Sequence, residues 1–194
     1  KLNFSQYIFD NSGKQKLYHR LTQYILNDQS GYDRYGDLES ELDYQITDDF
    51  DFYNNSFYNY DQKKFSKIYN KLAFNGKKIN FSLSHLYKNL FNYTKDNYLT
   101  FSTKYKQNPH YSYTLRYDYD MELNLRKNAE IGFLFQKRCW EFGLKYVENN
   151  RPILTNNSNT DSIKDKYIYF TIVFKPFMDS NDTPIFIHKL PQSD

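Results

Sequence analysis

Little in this chain can turn it sharply: its 194 residues include 6 glycines and 5 prolines. That scarcity argues against a soluble β-sandwich, whose many turns draw on both residue types. Cysteine occurs once. The lone Cys139 cannot close a disulfide within the chain, so any partner lies elsewhere. No apolar run approaches the roughly 20 residues that a membrane-crossing helix needs. An excess of one charge is lacking too. The formal net charge is +3, and Lys and Arg are scattered rather than clustered, which argues against a nucleic-acid surface. No initiator Met precedes Lys1, and no basic segment leads into an apolar one, so the expectation is a piece of a longer precursor.

Signatures of catalysis are missing as well. There is no GxSxG, no phosphate-binding P-loop and no GxGxxG. His19, His85, His110 and His188 are far apart and form no ligand spacing. The expectation is a protein that is not an enzyme and takes no cofactor or metal.

What the chain has is aromatic residues: 21 Tyr and 17 Phe, with aromatics at 20% of the total. These residue types favour pleated, half-buried surfaces. Mean hydropathy is −0.89, a value that a membrane barrel also reaches, because its strands alternate polar and apolar residues. Period two dominates. Tyr111, Tyr113, Leu115, Tyr117 and Tyr119 share one face, and Ser112, Thr114, Arg116 and Asp118 the other. Trp140, Phe142, Leu144 and Tyr146 oppose Glu141, Gly143 and Lys145. Leu38, Leu42, Tyr44 and Ile46 oppose Asp37, Glu39, Glu41 and Asp43; Leu99, Phe101 and Tyr105 oppose Thr100, Ser102, Lys104 and Lys106. Helical spacing would scatter these sets, whereas a strand sorts them. Further strands are expected at 2–9, 17–26, 50–60, 65–74, 78–87, 129–136 and 166–174, with Asn70 interrupting the apolar face of 65–74.

The expected connections alternate in length. Those at 149–165, 88–97 and 27–36 are long, 120–128 is intermediate, and 137–138, 107–109, 75–77 and 47–49 are tight; 61–64 breaks the rhythm. Outer-membrane barrels have short periplasmic turns and longer outside loops. A strand with an aromatic face and a charged face needs two solvents, and lipid outside with water inside supplies both. The expected fold is therefore all-β: an antiparallel transmembrane β-barrel segment, about eleven strands of a larger outer-membrane barrel. The barrel portion spans 1–178, and 179–194 is expected to be a periplasmic C-terminal tail. A soluble sandwich or barrel with the same alternation remains the alternative.

The carboxylate row Asp37, Glu39, Glu41 and Asp43 invites an acid–base or metal reading. Glycosidase chemistry, however, needs carboxylates facing each other across a cleft. A solvated lumen wall is the simpler expectation, with Lys104, Lys106, Arg116 and Lys145 balancing the row across the interior.

The stretch PHYSYTLRYDYDMELNLRKNAEIGFLFQKRCWEFGLKYVENN resembles the last strands of the LPS-assembly family of outer-membrane barrels, LptD. In that family a cysteine, or a pair of them, sits just before an aromatic strand, and a long loop, a final strand and a periplasmic tail follow. Here Cys139-Trp140 stands between Phe133-Leu134-Phe135 and Phe142-Gly143-Leu144. The likeness covers about 110–175. Trp140 replaces the second cysteine of two-cysteine members, so at most one cross-link passes through this segment. The resemblance implies a disulfide from Cys139 to a cysteine outside this chain. It also implies that Tyr167, Ile168, Tyr169, Phe170, Thr171, Ile172, Val173 and Phe174 form one side of a lateral gate. The partners it implies are lipopolysaccharide, an LptE-like plug lipoprotein and the periplasmic Lpt bridge, and the location is the bacterial outer membrane. Another outer-membrane barrel, such as a porin or nutrient receptor, is the alternative; a barrel-like enzyme comes third, because no nucleophile and base can be nominated.

Overall fold

The computed structural model describes residues 1–27, 33–90, 94–153 and 161–174. They form β1 (Leu2–Phe9), β2 (Gln15–Asn27), β3 (Asp33–Gln45), β4 (Phe50–Asn59), β5 (Lys64–Asn75), β6 (Ile79–Leu90), β7 (Thr94–Lys106), β8 (Tyr111–Asp120), β9 (Leu125–Gln136), β10 (Trp140–Ile153) and β11 (Asp161–Phe174). The protein is all-β, a meander of eleven antiparallel strands in sequence order, with β1 and β11 at the ends of that order. It divides into two compact units. The first is Lys1–Gly76, Phe81–Phe101 and Tyr119–Leu125; the second is Lys77–Asn80, Ser102–Asp118 and Arg126–Asp194. The expected tail at 179–194 lies outside the described residues.

The strand centres fall where the alternation puts them, and β1 matches its expected bounds, but several strands run longer at one end. The expected link 120–128 shrinks to 121–124, and 149–165 shrinks to 154–160 because β10 and β11 pair as far as Ile153↔Asp161. Likewise 88–97 contracts to 91–93 and 27–36 to 28–32. The reason is that backbone pairing outlasts the hydrophobic pattern. Glu148↔Lys166, Asn149↔Asp165 and Asn150↔Lys164 are paired strand residues without an apolar side chain among them. Ladder hydrogen bonds, helped by the Arg151–Asp165 ion pair, carry the hairpin onward through polar sequence.

The turns explain how so few glycines and prolines suffice. Side-chain oxygens cap the backbone instead, as Asx- and ST-turns do. Asp10 accepts from the amides of Ser12 at 2.8 Å and Lys14 at 3.0 Å, with Gly13 at φ +80° completing the turn. Thr47 accepts from the Phe50 amide at 3.1 Å, and Asn108 from those of His110 and Tyr111 at 2.8 and 2.9 Å. Asn59 accepts from Gln62 at 2.9 Å, and Asp120 from Glu122 and Leu123 at 3.0 Å.

Registers sort each unit into two faces. In the first unit, Ile8↔Leu17, Leu17↔Tyr44, Tyr44↔Phe52 and Phe52↔Leu72 run along an apolar face. Ring contacts gather at both ends of its strands: Phe50–Phe74 at 4.7 Å and Phe74–Phe81 at 5.4 Å at one end, Tyr58–Phe65 at 5.5 Å and Tyr35–Tyr60 at 6.4 Å at the other. Between these rims the apolar face holds polar side chains that pair with each other: Asn54 donates to Asn70 at 2.7 Å, His19 bonds Ser40 at 3.2 Å, and His85 bonds Asn97 at 2.8 Å. In the second unit the apolar face carries Phe133, Phe135, Phe142, Leu144 and Tyr146, continued on β11 by Ile168, Phe170 and Ile172. Tyr113–Phe133 and Tyr111–Phe135 stand 5.5 and 4.9 Å apart.

Burial is inverted relative to a soluble core. Ile131, Ile168, Phe170, Ile172 and Phe174, all on the apolar face of the second unit, are exposed, and so are Leu2, Phe4 and Ile8 in the first. Among the buried side chains, Thr22, Glu39, Asn55, Ser112, Val147 and Val173 belong to the opposite faces, whereas Asn150, in the polar extension of β10, has the parity of the apolar face. Tyr7 and Phe9 of β1 and Tyr169 of β11 are aromatic exceptions exposed on the polar side.

Candidate functional site: the polar faces

In the first unit, β3 projects Asp37, Glu39, Glu41 and Asp43 from one face, alternating with Leu38, Ser40 and Leu42. The hairpin register sets Arg20 opposite Glu41 and Thr22 opposite Glu39. One guanidinium therefore serves two carboxylates: an Arg20 terminal nitrogen lies 2.6 Å from Glu41 Oε2 and 3.4 Å from Glu39 Oε1. Neutral donors satisfy the remaining oxygens. Tyr24 donates its hydroxyl to Glu39 at 3.0 Å, Asn55 its amide to Glu39 at 3.1 Å, and Tyr53 its hydroxyl to Glu41 at 2.9 Å. Asp37 accepts from Asn59 at 2.7 Å and Ser66 at 2.5 Å. Asp43 stands opposite Tyr18 on one side and Tyr53 on the other. The carboxylates are held along one strand by donors from β2, β4 and β5. No two face each other across a cleft as glycosidic hydrolysis requires, and no group of residues fit to hold a metal ion occurs among the described residues.

The second unit carries Lys104, Arg116 and Lys145 on its polar face. Two of these cations pair locally. Arg116 Nε lies 3.0 Å from Asp118, two positions along its own strand. Lys145 Nζ lies 2.5 Å from Glu130 on the neighbouring strand. Asn128 joins the two pairs, donating to Glu130 at 2.8 Å and reaching Asp118 at 3.3 Å. An opposite charge one or two side-chain positions away costs far less ordering than a distant one, so neighbours take the pairing. Lys104 has no hydrogen-bond or ion-pair partner among the described residues. It borders a depression of about 250 Å³ whose floor is Gly132 and Gly143 with Ser112, Thr114 and Thr171, and whose rim includes Lys145, Glu141 and Tyr169.

Sequence reasoning missed Arg20, Tyr24, Tyr53, Asn55, Asn128 and Glu130. Alternation gives each its face, but only register says which residue meets which, and register depends on turn length. Cys139 is an exposed free thiol in the 137–139 turn. On β11, Phe170, Ile172 and Phe174 share the apolar face, while Tyr167, Tyr169, Thr171 and Val173 share the other, which is free of charge over that stretch.

No family model matches the chain, and no curated protein matches it in sequence. Among solved structures it is similar to a porin, NanC, at 11% sequence identity and a TM-score of 0.41, over 89% of this chain and 91% of that one. A likeness that remote carries no argument about closure, location or cargo.

Proposed function

We propose that these strands form the wall of an outer-membrane β-barrel, with the apolar faces toward lipid and the polar faces lining a water-filled passage for solutes. The observation that carries this reading is the inverted burial. Contiguous apolar patches beyond a few hundred Å² are rare on monomeric soluble proteins, yet in the second unit Ile131, Ile168, Phe170 and Ile172 stand exposed together while Ser112, Val147 and Val173 are buried on its opposite face, and in the first Leu2, Phe4 and Ile8 are exposed while Thr22, Glu39 and Asn55 are buried. The aromatic rims add a dimension. From Phe50 to Tyr60 the strand rises about 34 Å at ~3.4 Å per residue, or about 26 Å along the normal at a tilt near 40°, close to the ~25 Å apolar band of outer-membrane barrels. Ring girdles at both edges of that band suit the two membrane interfaces. Polar strand extensions beyond it, such as Glu148–Asn150 against Lys164–Lys166, suit water outside the cell. The free edges of β1 and β11 cannot stay unpaired in hydrocarbon. On this reading they close on each other or on further strands of a longer protein.

Purified chain refolded into phospholipid vesicles should run faster unboiled than boiled on a gel, and should give discrete conductance steps in a planar bilayer. A chain that stays monomeric and folded in plain buffer refutes the membrane assignment.

A second reading keeps lipopolysaccharide translocation. It is favoured by β11, whose polar side lacks charge from Tyr167 to Phe174, as a strand passing lipid sideways would require. A photo-crosslinker at Tyr169 in cells, with Tyr113 as control, should capture lipopolysaccharide on this reading. Capture at neither position in an assembled barrel leaves the passage of water-soluble solutes.

A further inference from the structure

We propose that the depression on the polar face of the second unit binds a small oxyanionic group, a carboxylate or phosphate carried by a solute. The inference rests on reading that face as water-lined. Its first support is Ser112, which is 9% exposed and lines the cavity, yet its hydroxyl has no partner among the described residues. That leaves the Ser112 hydroxyl free to donate to a solute in the cavity. Thr114 and Thr171 add two further hydroxyls to the same floor. Three hydroxyls able to turn their protons inward make a donor set suited to an oxyanion.

The second support is charge. Lys104 lines the cavity with no counter-ion among the described residues, while Lys145, also in the lining, is held by Glu130 at 2.5 Å. Glu141, the one acidic side chain of the rim, has an interaction of its own. Among the described residues Lys104 is thus the cation of this lining that no carboxylate holds, beside three hydroxyl donors. The third support is space. A residue with a side chain at Gly132 or Gly143 would fill the floor. A Cβ at Gly132 would strike the Thr114 hydroxyl, whereas one at Gly143 meets Thr171 Cβ at 3.5 Å and Leu134 Cδ1 at 3.7 Å, ordinary contacts. Gly143 is thus a position where the cavity can be filled without moving the strand.

The test uses the full chain refolded in detergent, titrated calorimetrically with inorganic phosphate and, separately, acetate. Saturable uptake of phosphate is expected. Lys104→Gln should weaken it about tenfold or more, the usual scale of a charge-assisted hydrogen bond. Gly143→Val should abolish it while leaving the gel shift on boiling unchanged, and Lys71→Gln on the first unit's polar face should leave affinity unchanged. Preference for phosphate over acetate marks a phosphorylated solute; the reverse marks a carboxylate. A heat-modifiable wild type without saturable uptake overturns the site alone, and so does uptake indifferent to both Lys104→Gln and Gly143→Val. Uptake by a chain that folds in plain buffer overturns the barrel alone, and a chain showing neither overturns both.

Discussion

Ile131 gives the sharpest test of which solvent the apolar face meets. It lies inside β9, paired with Tyr146, and is 60% exposed. If that face met water, Ile131→Arg would be a surface change of the kind usually worth within about 0.5 kcal/mol. If it meets lipid, an arginine there costs about 2–4 kcal/mol near the bilayer midplane. At about 1.4 kcal/mol per factor of ten, that is roughly a 30- to 700-fold loss in the folded-to-unfolded ratio. The matched control is Arg116→Ser on the opposite face, which removes an ion pair with Asp118 whose arginine side chain is 53% exposed. Such a pair is worth about 0–1 kcal/mol. The assay is urea-dependent folding into lipid vesicles, read as the heat-modifiable gel fraction. A large loss for Ile131→Arg beside a small one for Arg116→Ser is expected. Equal, small effects would refute the assignment of lipid to this face.

Other consequences follow from particular geometry. Asn54 and Asn70 face each other on the apolar side at 2.7 Å, so the Asn54→Leu, Asn70→Leu double variant should destabilise less than its two single variants do by addition. A double-mutant cycle should return a coupling near 0.6 kcal/mol and no more than about 1.7. Gly132→Ala should cost about 1 kcal/mol by forcing Thr114 off its rotamer, with Thr114→Ala restoring it in thermal melts; Gly143→Ala should be neutral or slightly stabilising. In the 46–49 turn, hydrogen bonds from Lys16 and then Lys14, with their charges, hold the Asp48 carboxyl below its ordinary range. Its contribution is fully present above the unfolded carboxyl value of about 3.9 and fades as pH falls through the lower folded value. Asp48→Asn should therefore flatten the acid limb of the stability profile, and high salt should shrink the difference between variant and wild type. Cys139, exposed in the 137–139 turn, should react with an impermeant maleimide only after the outer membrane is permeabilised. Asp61→Cys in a Cys139→Ser background should react in intact cells, and the opposite pattern would invert the orientation.

How much of this was legible beforehand varies by residue. Tyr111 through Tyr119 announce β8 and its faces outright, because period two has no other structural meaning. The same holds for Trp140 through Tyr146 and for the carboxylates of β3, whose common face follows from their spacing alone. Asn70, a flaw in the apolar pattern of β5, became intelligible only once β4 set Asn54 opposite it. The ends of β10 and β11 were not legible. Glu148 through Arg151 look like loop, and only the opposing strand shows that their backbones are paired.

The amino-acid sequence by itself determined the strand number, the two faces of each strand and the positions of the tight turns, all properties of near neighbours along the chain. Tertiary structure decided the rest. It chose Arg20 as the partner of Glu39 and Glu41, and it gave Lys145 to Glu130 while leaving Lys104 without a partner among the described residues. It also brought Ser112, Thr171 and Gly143 from three strands to one cavity floor. These are facts of register, and register is set by turn geometry and by bulges such as the one between Gln23 and Ile25. Alternation forbids a shift of one residue, which would move every side chain to the opposite face, but it is blind to a shift of two, so only the paired strands fix the register.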